Sequence, residues 1–354
     1  MRASPRILII RLSSLGDILH TLPALADLRT SFPEARIDWL VGEKSRFLLS
    51  AVRGIDDILP VDTNALSLFP PHRPAWRSLR NLVRNLRSRR YHYVIDFQGL
   101  LKTAFLALAS GSRTRLGYSK ELVREPPAHW FYHQSLGKPD RPSHVLTLNR
   151  MLAGLAGARP GATLPDFIVP DEDFRHIHAI LHRERLGDFV VMNPGGGWAT
   201  KRWKAERFGA LAARIRDELG LEAAVTTGPG EEPLYRAIAE HSGGARPRHV
   251  AVSFLQLIPL LRKCSLFIGG DTGPFHLACA LGTPAVGVFG PTSPVRNGPW
   301  QEGDEAVCHT LECSFCYKRT CPTRNECMDI SVDEVFDAVL RRLRRKGGAP
   351  VVRS

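Results

Sequence analysis

Short apolar runs alternate with segments of helical spacing along most of the chain, the pattern of a parallel sheet covered by helices. Residues 6–11 form an apolar run of buried-strand type, and from Asp17 onward Ile18, Leu22, Leu25 and Leu28 fall on one helix face. Pro23 is expected to kink that helix. Further strands are expected at residues 37–41, 58–61 and 93–97, separated by helices around 77–89 and 100–109.

Between about residues 157 and 171 the periodicity lapses and Pro160, Pro165 and Pro170 follow one another, so a domain boundary is placed there. The alternation then resumes, with strands at 189–192, 223–227, 249–252, 266–270 and 285–289 and helices at 206–219, 231–239, 254–262 and 274–281. The pattern predicts an α/β protein of two Rossmann-like, doubly wound domains, residues 1–170 and 171–330. A terminal helix and basic tail over 331–354 can pack across both. Ser253 with Gln256, and Ser331 with Glu334, form capping boxes that mark helix starts. No internal sequence repeat is evident.

The length of 354 residues suits two domains of ordinary size, each with its own core. An apolar fraction of 44% and a charged fraction of 23% exclude a disordered or fibrous chain. Arg2 and Arg6 precede only four apolar residues, too few for a signal-peptide core. The longest later apolar run, 104–109, falls far short of the roughly 20 residues of a membrane-spanning helix. A cytoplasmic protein with peripheral membrane contact is expected. The net charge of +13 is uneven, with Arg77, Arg80, Arg84, Arg87, Arg89 and Arg90 in one segment and Arg113, Arg115, Lys120 and Arg124 following. Such a surface attracts phosphates or anionic headgroups, although a solvated helix face gives the same pattern. No zinc-finger or aromatic RNA-binding signature accompanies the charge, so nucleic acid is not an expected partner.

Four segments carry candidate chemistry. In residues 12–20, Gly16 permits a tight turn and Asp17 stands where a helix begins, as a reactive carboxylate or simply as a cap. In residues 193–203, Gly195, Gly196 and Gly197 let backbone amides approach a ligand, while Thr200 and Lys201 offer a hydroxyl and an ammonium to phosphate. The Walker order is absent, and a flexible connection is the plainer reading. In residues 268–276, Gly273 and Pro274 open a helix whose amides and dipole suit a diphosphate, and His276 is either a site residue or a satisfied core histidine. In residues 226–232, Glu231 can accept hydrogen bonds from a ribose or merely complement a helix dipole.

Together these segments resemble the glycosyltransferase family that contains the lipopolysaccharide heptosyltransferases, of the two-lobed B-type fold. The resemblance rests on residues 13–17 with Thr21, Leu22 and Pro23, on Asp271, Thr272 and Gly273 through His276, and on Phe289, Gly290, Pro291 and Thr292. Residues 124–132 further resemble the members that add the first heptose. The resemblance implies two Rossmann-like domains facing a cleft and inverting transfer of L-glycero-D-manno-heptose from ADP-heptose. The implied acceptor is the Kdo-lipid A inner core, at the inner face of the cytoplasmic membrane. Asp17 is then the catalytic base, and Thr200, Lys201, Glu231, Asp271, Thr272, Gly273 and His276 bind the donor. Arg77, Arg80, Arg84, Arg113 and Arg124 are the expected acceptor surface. Alternatives are heptosyltransferase II or a member using another sugar nucleotide, an epimerase of the same architecture, and a noncatalytic protein that binds anionic lipid.

Five cysteines crowd the carboxyl-terminal region: Cys308, Cys313, Cys316, Cys321 and Cys327. Cys313 and Cys316 have the gap of a metal knuckle, and Cys321 and Cys327 complete a possible set of four thiolates. The later spacings are not those of a standard finger and the implied chemistry requires no cofactor, so a structural or thiol role is the expectation. A cytoplasmic setting disfavours stable disulfides.

Overall fold

A computed structural model describes residues 4–63, 73–161 and 165–345. The chain divides into two compact units, with the boundary between Ile168 and Val169.

The first unit runs β1 (Arg6–Ile10), α1 (Leu15–Leu19), α2 (Leu22–Ser31), β2 (Arg36–Gly42), α3 (Arg46–Ser50), β3 (Asp57–Val61), α4 (Arg73–Ser88) and β4 (Tyr93–Asp96). It continues with α5 (Leu101–Ala109), β5 (Thr114–Tyr118), β6 (Gln134–Leu136) and α6 (Val145–Gly154). The sheet order is β3-β2-β1-β4-β5-β6 and every pairing is parallel. Helices cover both faces of a parallel sheet, so its central strand must be apolar on both sides. Ile7, Leu8, Ile9 and Ile10 are accordingly all fully buried, which is why they read as a run rather than an alternation.

Two expectations about the first helix are corrected. The single kinked helix is instead two helices, because Pro23 lies in the first turn of α2, where its missing N–H costs nothing. Gly16 is a buried residue within α1 rather than the turn itself, which is made at Ser13 and Ser14.

The second unit begins with α7 (Asp171–Arg183), then β7 (Phe189–Asn193), α8 (Ala205–Leu219), β8 (Glu222–Val225), α9 (Glu232–Glu240), β9 (Arg248–His249) and α10 (Leu257–Lys263). It ends with β10 (Leu266–Gly270), α11 (Gly273–Leu281), β11 (Ala285–Phe289), α12 (Pro294–Asn297), β12 (Glu305–Cys308) and α13 (Val332–Arg344). Its sheet order, β12-β11-β10-β7-β8-β9, is the first unit's order read from the other edge. The two units therefore repeat one topology without repeating a sequence. Each has a switch point between its first and fourth strands, where such sheets take ligands at the strands' carboxyl ends.

Helix α13 is part of the second unit's core. Ser331 caps it, its hydroxyl accepting from the Glu334 amide at 3.2 Å while the Glu334 carboxylate accepts from the Ser331 amide at 2.8 Å. Val335, Phe336, Ala338 and Val339 are buried against α8, β11 and β12. The basic residues on this helix are largely neutralised: Arg342 pairs with Asp304 at 2.6 Å, and Arg341 and Arg345 pair with Glu305. Lys346 and the rest of the tail lie outside the described residues.

Candidate functional site

Each unit gathers polar side chains at its own switch point. In the first unit β4 lies beside β1, so Gln98, just past β4, reaches the chain leaving β1. Its side-chain oxygen accepts from the amides of Leu12 and Ser13 at 3.0 and 3.3 Å. That contact fixes the turn that delivers Asp17. Arg11, also held by the Phe97 carbonyl, places a guanidinium nitrogen 2.6 Å from Asp17 Oδ1. The other oxygen, Oδ2, accepts from the Ser14 amide and hydroxyl at 3.1 and 3.0 Å. Asp17 is thus both a cap of α1 and an oriented carboxylate with 39% of its side chain exposed. The two readings of Asp17 are compatible, since capping uses one edge of the carboxylate and leaves the group reachable. Asp96, which ends β4, is fully buried; burial pushes its carboxyl up, opposed by hydrogen bonds from Tyr132, Thr103 and the Gln98 and Gly99 amides.

The second unit's switch point lies between β7 and β10. Asn193 ends β7 and donates from its side-chain nitrogen to the Thr226 carbonyl at 2.9 Å, tying β7 to the end of β8. Lys201 follows on the glycine-rich loop and donates to Asp271 Oδ2 at 2.8 Å and to the Asp271 carbonyl at 3.3 Å, closing the switch point. His276, one turn into α11, donates through Nε2 to Asp271 Oδ1 at 2.7 Å. Burial alone would raise the Asp271 carboxyl, but His276 and then Lys201 hold it well below the usual carboxylate range. Asp271 is therefore a positioning anion. Its charge aims Lys201 and His276, and a carboxylate facing a diphosphate directly would repel it. An ammonium has three donors, so Lys201 retains one beyond its two bonds to Asp271. The Trp198 ring lies 4.4 Å from its Nζ.

Helix α11 starts at Gly273 with Pro274 in its first turn, so its leading amides and positive dipole end face away from the helix. The buried hydroxyls of Thr272, its cap residue, and of Thr292, just past β11, find no hydrogen-bond partner among the described residues. Buried donors of this kind call for an acceptor from outside the chain, an ordered water or a ligand. Thr292 belongs to the segment 289–292 that carried the resemblance.

Glu231 stands at the start of α9, where its sequence position implied, as the helix's cap residue. Its Oε1 accepts from the Gly196 amide at 3.1 Å and pairs with Arg202, and its Oε2 accepts from the Gly228 amide at 2.8 Å. It clamps two glycine loops together, so any ribose contact is made by a carboxylate already engaged on both edges. Gly195 is required by this clamp, because a Cβ there would stand 2.0 Å from Glu231 Oε2. Gly195→Ala is expected to lower the melting temperature and raise the donor KM. In the Gly195→Ala/Glu231→Ala double variant the two stability losses should fall short of their sum, the signature of one shared contact. Thr200 is engaged in the same way. Its hydroxyl donates to the Lys318 carbonyl at 3.0 Å and its own carbonyl accepts from Asn325, which makes it the floor of the loop.

The arginines separate into two groups. Arg77, Arg80 and Arg84 are exposed on α4, opposite the face that carries Leu79, Leu82 and the buried Leu86. Arg124 is exposed in the segment that leaves the carboxyl end of β5. Arg113 stands apart from these four. It leads into the amino end of β5 and lines a cavity with Arg87, Arg90 and His92, whereas Asp17 follows the carboxyl end of β1. Next to α4, α5 exposes Leu101, Phe105 and Leu108 along one stripe, and the 3-10 turn Pro126–Phe131 packed against α5 exposes Trp130 at 74%. Among the described residues no helix is long and apolar enough to cross a membrane.

The profile of glycosyltransferase family 9 (heptosyltransferase) matches residues 79–326. The chain is 29% identical over 330 residues to lipopolysaccharide heptosyltransferase 1 of Pseudomonas aeruginosa, covering 89% of this chain and 87% of that one. It is 27% identical over 319 residues to lipopolysaccharide heptosyltransferase 1 of Escherichia coli K12, covering 86% and 93%. Among solved structures, the family 9 glycosyltransferase of Veillonella parvula superposes with a TM-score of 0.80 at 21% identity, over 97% of this chain and 98% of that one. E. coli heptosyltransferase WaaC with ADP-2-deoxy-2-fluoro heptose superposes with a TM-score of 0.73 at 24% identity, over 94% and 98%. The two parallel six-stranded sheets are those of the B-type glycosyltransferase fold.

Proposed function

The chain belongs to glycosyltransferase family 9, the heptosyltransferases, and from that premise we propose that it transfers L-glycero-D-manno-heptose from ADP-heptose to the Kdo-lipid A inner core. The observation that carries the donor assignment is the second unit's switch point. There an aimed ammonium, a helix amino terminus and two buried hydroxyls without partners gather at strand ends. Each of these donates to anionic oxygen, and together they suit a diphosphate.

In this reading the transfer inverts the anomeric centre. The acceptor hydroxyl attacks the anomeric carbon, the bond from that carbon to the phosphate oxygen breaks, and ADP leaves with the electron pair. Asp17 takes the hydroxyl proton, its carboxylate held for the task by Arg11 and Ser14. Lys201 and the first amides of α11 meet the charge that grows on the leaving diphosphate. His276 and Asp271 act through Lys201 by keeping the ammonium aimed.

The donor is tested by thermal denaturation with sugar nucleotides. A ligand at a hundred times its Kd stabilises the folded chain by about 2.7 kcal/mol, so ADP-heptose and ADP should raise the melting temperature. A larger rise with a UDP or GDP sugar would reassign the donor.

The acceptor is a lipid, and the exposed stripe of α5, Trp130 and the arginines of α4 form the surface that meets its membrane, at the cytoplasmic face. Arg80→Glu/Arg84→Glu should weaken sedimentation with anionic vesicles by about 1 kcal/mol, roughly fivefold, per arginine lost. The effect should fade in high salt, as screened surface charge requires. Unchanged sedimentation at low salt would remove α4 from the membrane-facing surface. An acceptor that already carries a heptose would instead identify heptosyltransferase II chemistry.

A further inference from the structure

The segment between β12 and α13 carries no strand and only one 3-10 turn, Glu326–Met328, yet it packs directly on the donor-binding loops. The Thr200 hydroxyl donates to the Lys318 carbonyl and the Asn325 side chain donates to the Thr200 carbonyl. The Phe315 and Tyr317 amides donate to the Gly290 and Pro291 carbonyls. Phe315, Tyr317 and Asn325 all hold left-handed backbone, with φ of 63°, 56° and 62°. Most of residues 310–326 are exposed, so burial supplies little to hold this conformation. Unfavourable backbone of this sort persists only where something over-determines it.

One small cavity in this segment is lined by Cys313, Cys316, Cys321 and Cys327, together with Thr200, Pro291, Lys318, Asn325 and Glu326. The other three cysteines, Cys264, Cys279 and Cys308, are not among its walls. Four convergent thiols, two of them in a C-x-x-C knuckle, form the donor set of a structural zinc or iron site. As the side chains stand, no three His, Cys, Asp or Glu residues among the described residues are arranged to hold an ion. Cys313 and Cys316 are exposed, Cys321 is half-buried and Cys327 is buried, so metal binding at this cavity requires the exposed thiols to turn inward.

We propose that Cys313, Cys316, Cys321 and Cys327 bind one divalent metal ion as four thiolates, and that this ion clamps residues 313–327 against the donor loop at Thr200 and against Pro291. Each thiol releases one proton to solvent on binding, and the resulting complex carries two negative charges. Glu326 in the cavity wall adds a further negative charge, which Lys318, also in the wall, and Arg319, next in sequence, offset in part. The ion takes no part in group transfer. It braces the backbone under Thr200, and thereby the loop that presents Lys201.

The test is elemental analysis of untagged full-length protein, purified under reducing conditions without chelator. One zinc or iron per chain is expected, and the element found distinguishes the two. Cobalt(II) loaded into chelator-treated protein should give the intense visible absorption of tetrahedral thiolate coordination, a readout independent of activity. Cys316→Ser/Cys321→Ser should lose the metal, lower the melting temperature and raise the donor KM more than it lowers kcat. Cys308→Ser, outside the cavity, should retain it. Metal content below about a tenth per chain in the wild type, with no cobalt spectrum, overturns the proposal. Equal metal loss in Cys308→Ser, or a disulfide among the four cysteines in protein from the cytoplasm, overturns it as well.

Discussion

Asp17→Asn should lower kcat by about a hundredfold or more while leaving the ADP-heptose-induced rise in melting temperature intact, since general-base catalysis contributes on that scale. The substitution is chosen because asparagine keeps an oxygen to accept from the Ser14 amide, so the amino end of α1 retains its cap. What asparagine cannot do is take a proton. A variant that folds, binds donor and fails to transfer isolates the chemical step. Arg11→Ala should give a smaller loss, because it frees the carboxylate's orientation without removing the base.

The second large effect is expected at Asp271. Replacing it with alanine leaves Lys201 without its anion and His276 without its acceptor in a buried setting. Removing one partner of a buried pair costs roughly 3 to 5 kcal/mol, and residual exposure of Lys201 places this site toward the lower end. Transfer should fall as well, because a mis-aimed Lys201 forfeits a donor worth roughly 3 to 4 kcal/mol to the leaving phosphate. The Asp271 carboxyl is depressed in the folded chain, so its contribution to stability is fully present above its unfolded value near 3.8. It is lost as pH falls below that value toward the folded one. Asp271→Asn should therefore unfold more readily at neutral pH and show a flatter loss of stability below about pH 4 than the wild type. Urea denaturation midpoints across that range measure both effects.

Much of this architecture was legible because parallel strands buried on both faces leave apolar runs such as residues 7–10, 266–270 and 285–289. Two edge strands, β6 and β12, escaped for the opposite reason. Gln134–Leu136 has three residues, and Glu305–Cys308 is half-exposed with a charged first residue. The helix Asp171–Arg183 does carry Phe174, Ile177, Ile180 and Leu181 at helical spacing, but the prolines before it masked the signal. Thr114–Tyr118 is broken by Arg115, whose guanidinium turns to the Phe131 and Ser112 carbonyls instead of solvent.

The chemistry divides in the same way. Asp17, Lys201 and Asp271 were visible because each follows an apolar run at a point where a strand gives way to a helix or loop. Their partners were not. Gln98 supports the Asp17 turn only because β4 lies beside β1, and Lys201 finds Asp271, 70 residues away, only because β10 lies beside β7. Arg11 ends the first apolar run, and its role depends on the turn that brings Asp17 to its guanidinium. Glu231 and Thr200 make bonds that hold loops together, a function that spacing along a chain does not reveal.

The most direct test is a transfer reaction with purified protein, ADP-heptose and Kdo-lipid A, followed by mass spectrometry of the lipid and NMR of the new linkage. Addition of one heptose, release of one ADP and an anomeric configuration opposite to the donor's are the predicted result. An unmodified lipid under conditions where ADP-heptose binds, or a retained configuration, would contradict it.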